Sequence, residues 1–158
     1  MRRWIGGMML LTLALVWLGG CQTVAAPETE VQSVAVTQQT GEGARLEVLV
    51  LVHNRNDFAL PVRSASYDVR VSGLGRFSFT DEPPVTLPPN DSQSILLAAA
   101  YTADPDAVEI DHASAVRISG RLWYQPPGDF RELLTEYHFP LPSVTFGQRA
   151  TLDELTGE

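Results

Sequence analysis

Between residues 46 and 53, Leu46, Val48, Val50 and Val52 alternate with Glu47, Leu49, Leu51 and His53. Side chains of a strand point to opposite faces with period two. One face of this run is therefore wholly apolar, and the other is polar at its ends with Leu49 and Leu51 between. Such a β-branched run suits a central strand of a sandwich. Wound as a helix, the same residues would spread apolar groups all round the axis at a cost in propensity. The run stops at Asn54-Arg55-Asn56-Asp57-Phe58, where Asn and Asp side chains favour a turn. Phe58 and Leu60 are placed to dip back as apolar plugs, and Pro61, with no backbone donor, suits a strand edge or start. Alternation resumes with Ala65, Tyr67, Val69 and Val71 against Ser66, Asp68, Arg70 and Ser72, a half-exposed strand with a polar face.

The same signals recur along the chain. Val31 to Thr37 predicts a first strand, followed by a loop at Gly41-Glu42-Gly43. Ser72-Gly73-Leu74-Gly75 predicts a tight turn, and Arg76 to Thr80 a short strand with Phe77 and Phe79 on one side. Asp81 to Pro84 breaks it. Val85-Thr86-Leu87 reads as an edge-like piece, Pro88-Pro89-Asn90-Asp91 as a turn, and Ser94 to Tyr101 as a buried strand. Asp104 to His112 is the one segment of helical character, a single turn started by Asp104-Pro105. Ala115 to Tyr124 predicts a strand with Val116, Ile118, Leu122 and Tyr124 inward, Arg117, Arg121 and Trp123 outward, and Gly120 at a bulge or close approach. Gln125 to Asp129 reads as a hairpin loop, Glu132 to Pro142 as the last strand, and residues 143–158 as an acidic, irregular tail that frays. Short strands at regular spacing with turns between them predict an all-β fold, an antiparallel immunoglobulin- or fibronectin-III-like β-sandwich of about seven strands.

The first residues follow a different logic. Met1-Arg2-Arg3 is a positive start, residues 4–18 are apolar, and Leu18-Gly19-Gly20-Cys21 follows. A charged start, a short apolar core and small residues before a cleavage site describe a secretory signal and not a spanning helix. The last four residues resemble a bacterial lipobox, with Cys21 as the lipidated first residue of the mature chain. Cys21 is the only cysteine, so it has no disulfide partner and no thiolate metal set can be built on it. Two or more acyl chains on one residue give stable anchoring. The expected organisation is a lipoprotein signal over 1–20, a tether over 21–30, one domain over 31–142 and a tail over 143–158. Gln22 is not the Asp of an inner-membrane retention signal, so the expected location is the bacterial envelope, at the outer membrane facing the periplasm.

Charge narrows the partners. The net charge is −8, the chain has no Lys, and setting aside Arg2 and Arg3 takes it to −10. A chain this acidic lacks the basic stripe that nucleic acid needs and is repelled by an anionic membrane surface, so only the lipid is expected to hold it at a bilayer. Acidity keeps a tethered domain soluble.

The corner Val-His-Asn-Arg-Asn-Asp-Phe-Ala-Leu-Pro-Val over 52–62, followed by Ser-Tyr-Asp-Val-Arg-Val over 66–71, resembles the signature of the second late-embryogenesis-abundant group, whose module is the WHy (water stress and hypersensitive response) domain. Asn54 and Asn56 match the family's two Asn, while Arg55 stands where the family usually has Pro. Leu87-Pro88-Pro89-Asn90 resembles the family's later leucine-proline step. The resemblance covers roughly residues 31–140 and implies structural roles for Asn54, Asn56, Phe58, Pro61 and Tyr67. It also implies involvement in desiccation or osmotic stress, by protecting proteins or the envelope.

Reactive constellations are weak. His53, His112 and His138 share no local ligand spacing. Asp104, Asp106, Glu109 and Asp111 lack the Gly and terminal Glu of a calcium loop and read as a solvated acidic segment, with calcium as the minor possibility. No nucleophile elbow, phosphate loop or H-E-x-x-H motif occurs. Trp123, Tyr124 and Tyr137 offer either a ligand platform or caps on a core, the second being the commoner use. The sequence therefore predicts a non-enzymatic lipoprotein with no cofactor and no metal. The competing expectation is an envelope assembly or adaptor lipoprotein that binds a protein through a sandwich edge, such as Val85–Leu87, or a loop face.

Overall fold

The computed structural model describes residues 24–40, 43–72, 75–102 and 114–151. The signal segment, Cys21 and the acidic segment 104–112 with His112 lie outside the described residues. Among the described residues, eight strands and one helix follow in the order β1 (Glu28–Thr40), β2 (Gly43–His53), β3 (Leu60–Val71), β4 (Gly75–Asp81), β5 (Thr86–Leu87), β6 (Ser92–Thr102), β7 (Ala115–Tyr124), α1 (Gly128–Glu136) and β8 (Ser143–Thr151). They form two antiparallel sheets, one ordered β1-β2-β6 and the other β4-β3-β7-β8 with β5 paired to the start of β3. The result is the all-β, sandwich-like architecture that the alternation predicted.

The core lies between the sheets, and the alternating positions fill it. Val48, Val50 and Val52 of β2 are fully buried, as are Ala65 and Val69 of β3, with Leu46, Tyr67 and Val71 at 1% exposure. Ile95, Leu97 and Ala99 of β6 and Val116, Ile118, Leu122 and Tyr124 of β7 complete the two inner faces. In β3 the inward positions change parity. Leu60 and Val62 point in, a bulge between Val62 and Ser64 leaves Arg63 as an extra residue, and Ala65 onward points in again. A bulge of this kind inserts one residue and re-aims the strand. It joins the polar corner to the core strand without turning either apolar set outward.

The C-terminal third departs from the expected pattern. The strand expected over Glu132–Pro142 is absent. Its first part belongs to helix α1, and the last strand is β8, inside the stretch read as a fraying tail. Pro126-Pro127-Gly128 is a start signal, since Pro127 takes an extended conformation just ahead of the helix and Pro is tolerated at a helix start. Arg131, Glu132, Leu133 and Leu134 are good helix formers. The amides of Tyr137 and Phe139 bond back to the Leu133 and Leu134 carbonyls, and His138 takes φ 54°, so a left-handed residue ends the helix. Pro140 and Pro142 prevent its resumption. The first strand also begins earlier than expected, at Glu28, within the stretch read as tether.

Candidate functional site

The family-motif residues gather at one end of the sandwich, where β2 turns into β3. Asn54 is fully buried and Asn56 is 5% exposed, and both side-chain amides are completely engaged. Nδ2 of Asn54 donates to the carbonyls of Phe58 (2.7 Å) and Pro88 (2.9 Å). Its Oδ1 accepts from the backbone N–H (3.1 Å) and Nδ2 (2.9 Å) of Asn56. A hydrogen-bonded polar group is the form in which burial is tolerated. The backbone closes the same corner, with Asn54 N–H donating to the Asp91 carbonyl and Asn90 N–H to that of Asn56. The corner thus ties the β2–β3 connection to the turn before β6, a turn in which Asn90 adopts φ 49°.

Asn56 also holds the N-terminal segment. Its Oδ1 accepts the Ala25 N–H at 2.8 Å and its Nδ2 donates to the Ala25 carbonyl at 2.9 Å. This is the two-bond pairing of a backbone strand, made by one side chain. Pro27 beside it is buried, and Glu28 pairs with Arg55 at 2.7 Å on the surface. Arg55, the departure from the family pattern, therefore lies exposed beside the segment that Asn56 grips. Exposed pairs of this sort contribute little to stability.

The remaining motif residues are placed as follows. Phe58 is partly buried against the core, and Leu60 is fully buried. Pro61 sits at the start of β3 opposite Thr86 of β5, and its carbonyl accepts from the Gln125 N–H. Tyr67 is inside the sandwich, stacked on Phe79 at 5.5 Å between centroids. Its hydroxyl lies 2.6 Å from the Ala98 carbonyl of the opposite sheet and 2.7 Å from Oδ2 of Asp81. Burial, then the hydrogen bond to Asp81, pushes the Tyr67 phenol well above its ordinary range. Burial raises the Tyr124 phenol too.

Other candidates are not brought together. Trp123 and Tyr124 face opposite sides of β7, Tyr124 lies in the core, and Tyr137 is 61% exposed beyond α1. They make no shared platform. His53 bonds Ser92 through Nδ1 at 2.9 Å, and His138 is exposed in the turn after α1. No group of three or more His, Cys, Asp or Glu able to hold a metal occurs among the described residues. Val85–Leu87 lies at a sheet edge, paired on one side only: Thr86 and Leu87 pair with β3, and the Val62 N–H donates to the Val85 carbonyl. The feature that the strand reading of 132–142 hid is an apolar surface at this same end: Phe130, Leu133, Tyr137 and Phe139 are 47–63% exposed on and after α1.

No protein-family model and no curated protein matches the chain. Among solved structures, the solution structure of a protein provisionally described as late embryogenesis abundant (LEA) superposes with a TM-score of 0.55 at 14% identity, over 92% of this chain and 76% of that one. The two chains share a fold. A protein from Archaeoglobus fulgidus matches with a TM-score of 0.47 at 10% identity, over 82% of this chain and 97% of its own, and one from Arabidopsis thaliana with 0.49 at 11%, over 85% and 89%. Within this LEA-type fold, the Asn corner, the N-terminal segment and α1 all lie at the end where β3 begins and β7 finishes, since Val62 is opposite Tyr124.

Proposed function

We propose that this chain is a non-enzymatic, lipid-anchored LEA-type domain of the WHy kind, held close to a bacterial envelope membrane and protecting proteins or the envelope during drying or osmotic stress. The lipobox-like Leu18-Gly19-Gly20-Cys21 supports the anchor, and the observation that supports the close hold is the grip of Asn56 on Ala25. Lipid on Cys21 would leave only four residues before the fixed point, a reach of about 14 Å at full extension. The domain would then stand against the membrane with the Asn corner and α1 facing it. The LEA-type fold supports the stress role. Metabolic labelling with a clickable fatty acid is expected to mark the wild-type protein and not Cys21→Ala, and deletion of the gene is expected to reduce survival of drying and high salt. An unlabelled wild-type protein removes the anchor, and unimpaired survival removes the stress role.

A second reading, an adaptor that binds a protein, is favoured by one observation. Phe130, Leu133, Tyr137 and Phe139 leave an apolar surface exposed on and after α1, and such patches mark contact sites. A photoreactive residue in place of Leu133 separates the two readings. Cross-links to lipid fit a domain lying on its own membrane, and one discrete protein adduct fits the adaptor.

A further inference from the structure

The outward face of the β4-β3-β7-β8 sheet carries a row of arginines in register. Arg70 lies opposite Arg76 on one side and Arg117 on the other, and Arg117 lies opposite Arg149. All four are exposed. Arg121, on the same face of β7, lies over the Trp123 ring at 5.9 Å. These five stand on one face of a chain whose net charge is −8. Neighbouring strands are about 4.8 Å apart, so the row sets four cations along roughly 14 Å.

Such a row is unfavourable by itself, because like charges directly opposite each other destabilise a sheet. Among the described residues, Asp68 is the one acid at the outward positions of these strands, and it is already engaged. Arg76 bonds its Oδ2 at 2.7 Å and Ser78 bonds its Oδ1. The Arg76 bond, then the Ser78 bond, holds the Asp68 carboxyl below its usual range. Arg70, Arg117 and Arg149 have no ion-paired acid among the described residues. A depression of about 190 Å³ lined by Asp68, Arg70, Arg76, Arg117 and Ser119 opens between the first three arginines, and another adjoins it between Arg117 and Arg149.

We infer that this row is a binding site for an extended anion bearing several phosphate groups. Guanidinium forks match phosphate oxygens in two-point hydrogen bonds. Three unpaired cations within roughly 10 Å call for more negative charge than a single carboxylate carries, while each phosphoryl group supplies about −1.5 to −2. Salt screens charges beyond about 8–10 Å, so the acidity of the rest of the molecule does not cancel the row for a ligand lying on it. The site is remote from the Asn corner. Ten residues of β3 separate Leu60 from Arg70, roughly 34 Å of strand, so the row faces away from the end where the N-terminal segment is held.

The test is calorimetric titration of the full chain, in neutral detergent, with inorganic tripolyphosphate and with orthophosphate. Tripolyphosphate is expected to bind at least about tenfold more tightly than orthophosphate, weakening steeply with salt. Arg70→Ser combined with Arg117→Ser is expected to lose about tenfold or more of that affinity. Arg149→Gln on the edge strand loses less, in the same direction, and Arg131→Ser on α1 loses none. Removing opposed like charges leaves the melting temperature of the double variant at or above wild type, so lost binding is not lost folding. Co-sedimentation with phosphatidylcholine vesicles, with and without phosphatidylglycerol, identifies the source of the phosphate. A phosphatidylglycerol-dependent gain that the double variant loses assigns the row to lipid headgroups, and tripolyphosphate binding without such a gain assigns it to soluble phosphate. A flat wild-type titration, or a double variant that binds as wild type does, overturns the inference and leaves the row to be neutralised within the chain.

Discussion

Asn54 has no exposed surface, yet its amide serves Phe58, Pro88 and Asn56 at once. Replacing it with Ala removes the donor from two part-buried carbonyls and the acceptor from a buried amide N–H. Each buried polar group left unpaired costs about 1–3 kcal/mol, so Asn54→Ala is expected to lower stability by about 3 kcal/mol in urea unfolding. Asn56→Ala releases Ala25, and hydrogen exchange at the Ala25 amide is expected to rise toward the unprotected rate while the β2 and β3 amides stay slow. The turn-forming character of both Asn was legible in the sequence, because it is a property of the residue type. The reach of Asn56 to Ala25, 31 residues away, was not, because no periodicity encodes a contact across the fold. Gly120 was legible as a bulge or a close approach, and the structure shows the second: a Cβ there would sit 2.8 Å from the Tyr67 Cβ and against the Phe146 ring. Gly120→Ala is expected to cost about 1–3 kcal/mol by overpacking.

At the scale of elements, the strands with dense alternation were readable and those with sparse alternation were not. β2, β3 and β7 bury every inward side chain, so their pattern is strong. β8 buries only Phe146, and Val144-Thr145-Phe146-Gly147-Gln148-Arg149 carries too short an apolar run to stand out beside an acidic terminus. The stretch before it holds Leu133, Leu134, Tyr137 and Phe139, which imitate alternation, but α1 and the turn after it leave most of them exposed. An apolar residue reports its periodicity only when burial selects it, and here burial does not. β8 is nonetheless structural. It covers the β7 edge from Trp123 to Ala115 and lays the Phe146 ring on Gly120. Losing a buried Phe ring alone costs about 3–5 kcal/mol, a large part of the 5–15 kcal/mol typical of a domain. A chain ending at Pro142 is therefore expected to lose its cooperative thermal melt in near-ultraviolet circular dichroism, an outcome a dispensable tail would not give.

For the whole molecule, the sandwich architecture followed from the alternation, while the distribution of charge over it depended on register. The sequence shows an acidic chain; only strand pairing lines up Arg76, Arg70, Arg117 and Arg149 on one face. Pairing also decides what joins the two sheets. The Tyr67 hydroxyl reaches from β3 to the Ala98 carbonyl of β6 at 2.6 Å, beside Asp81, and that bridge makes the stability of the fold depend on alkaline pH. The folded phenol is raised above its ordinary value by burial and then by Asp81, so the folded state keeps its proton where the unfolded chain releases it. The contribution is complete below the unfolded value, about pH 10, and is lost as pH rises from there through the folded value. Within that window it falls by about 1.4 kcal/mol per pH unit. Tyr67→Phe removes both the bridge and the titration. It is expected to be less stable than wild type by about 1–3 kcal/mol at pH 7, where the Asp81 carboxylate and the Ala98 carbonyl lose the one hydroxyl proton they share. Urea unfolding at pH 7, 10 and 11 measures the gap, which is expected to narrow from its pH 7 value by about 0.4 kcal/mol at pH 10 and by about 1.4 kcal/mol at pH 11. The other tyrosines ionise alike in both chains and cancel in the difference, so a gap that stays constant across the three pH values removes Tyr67 as the pH-sensitive link between the sheets.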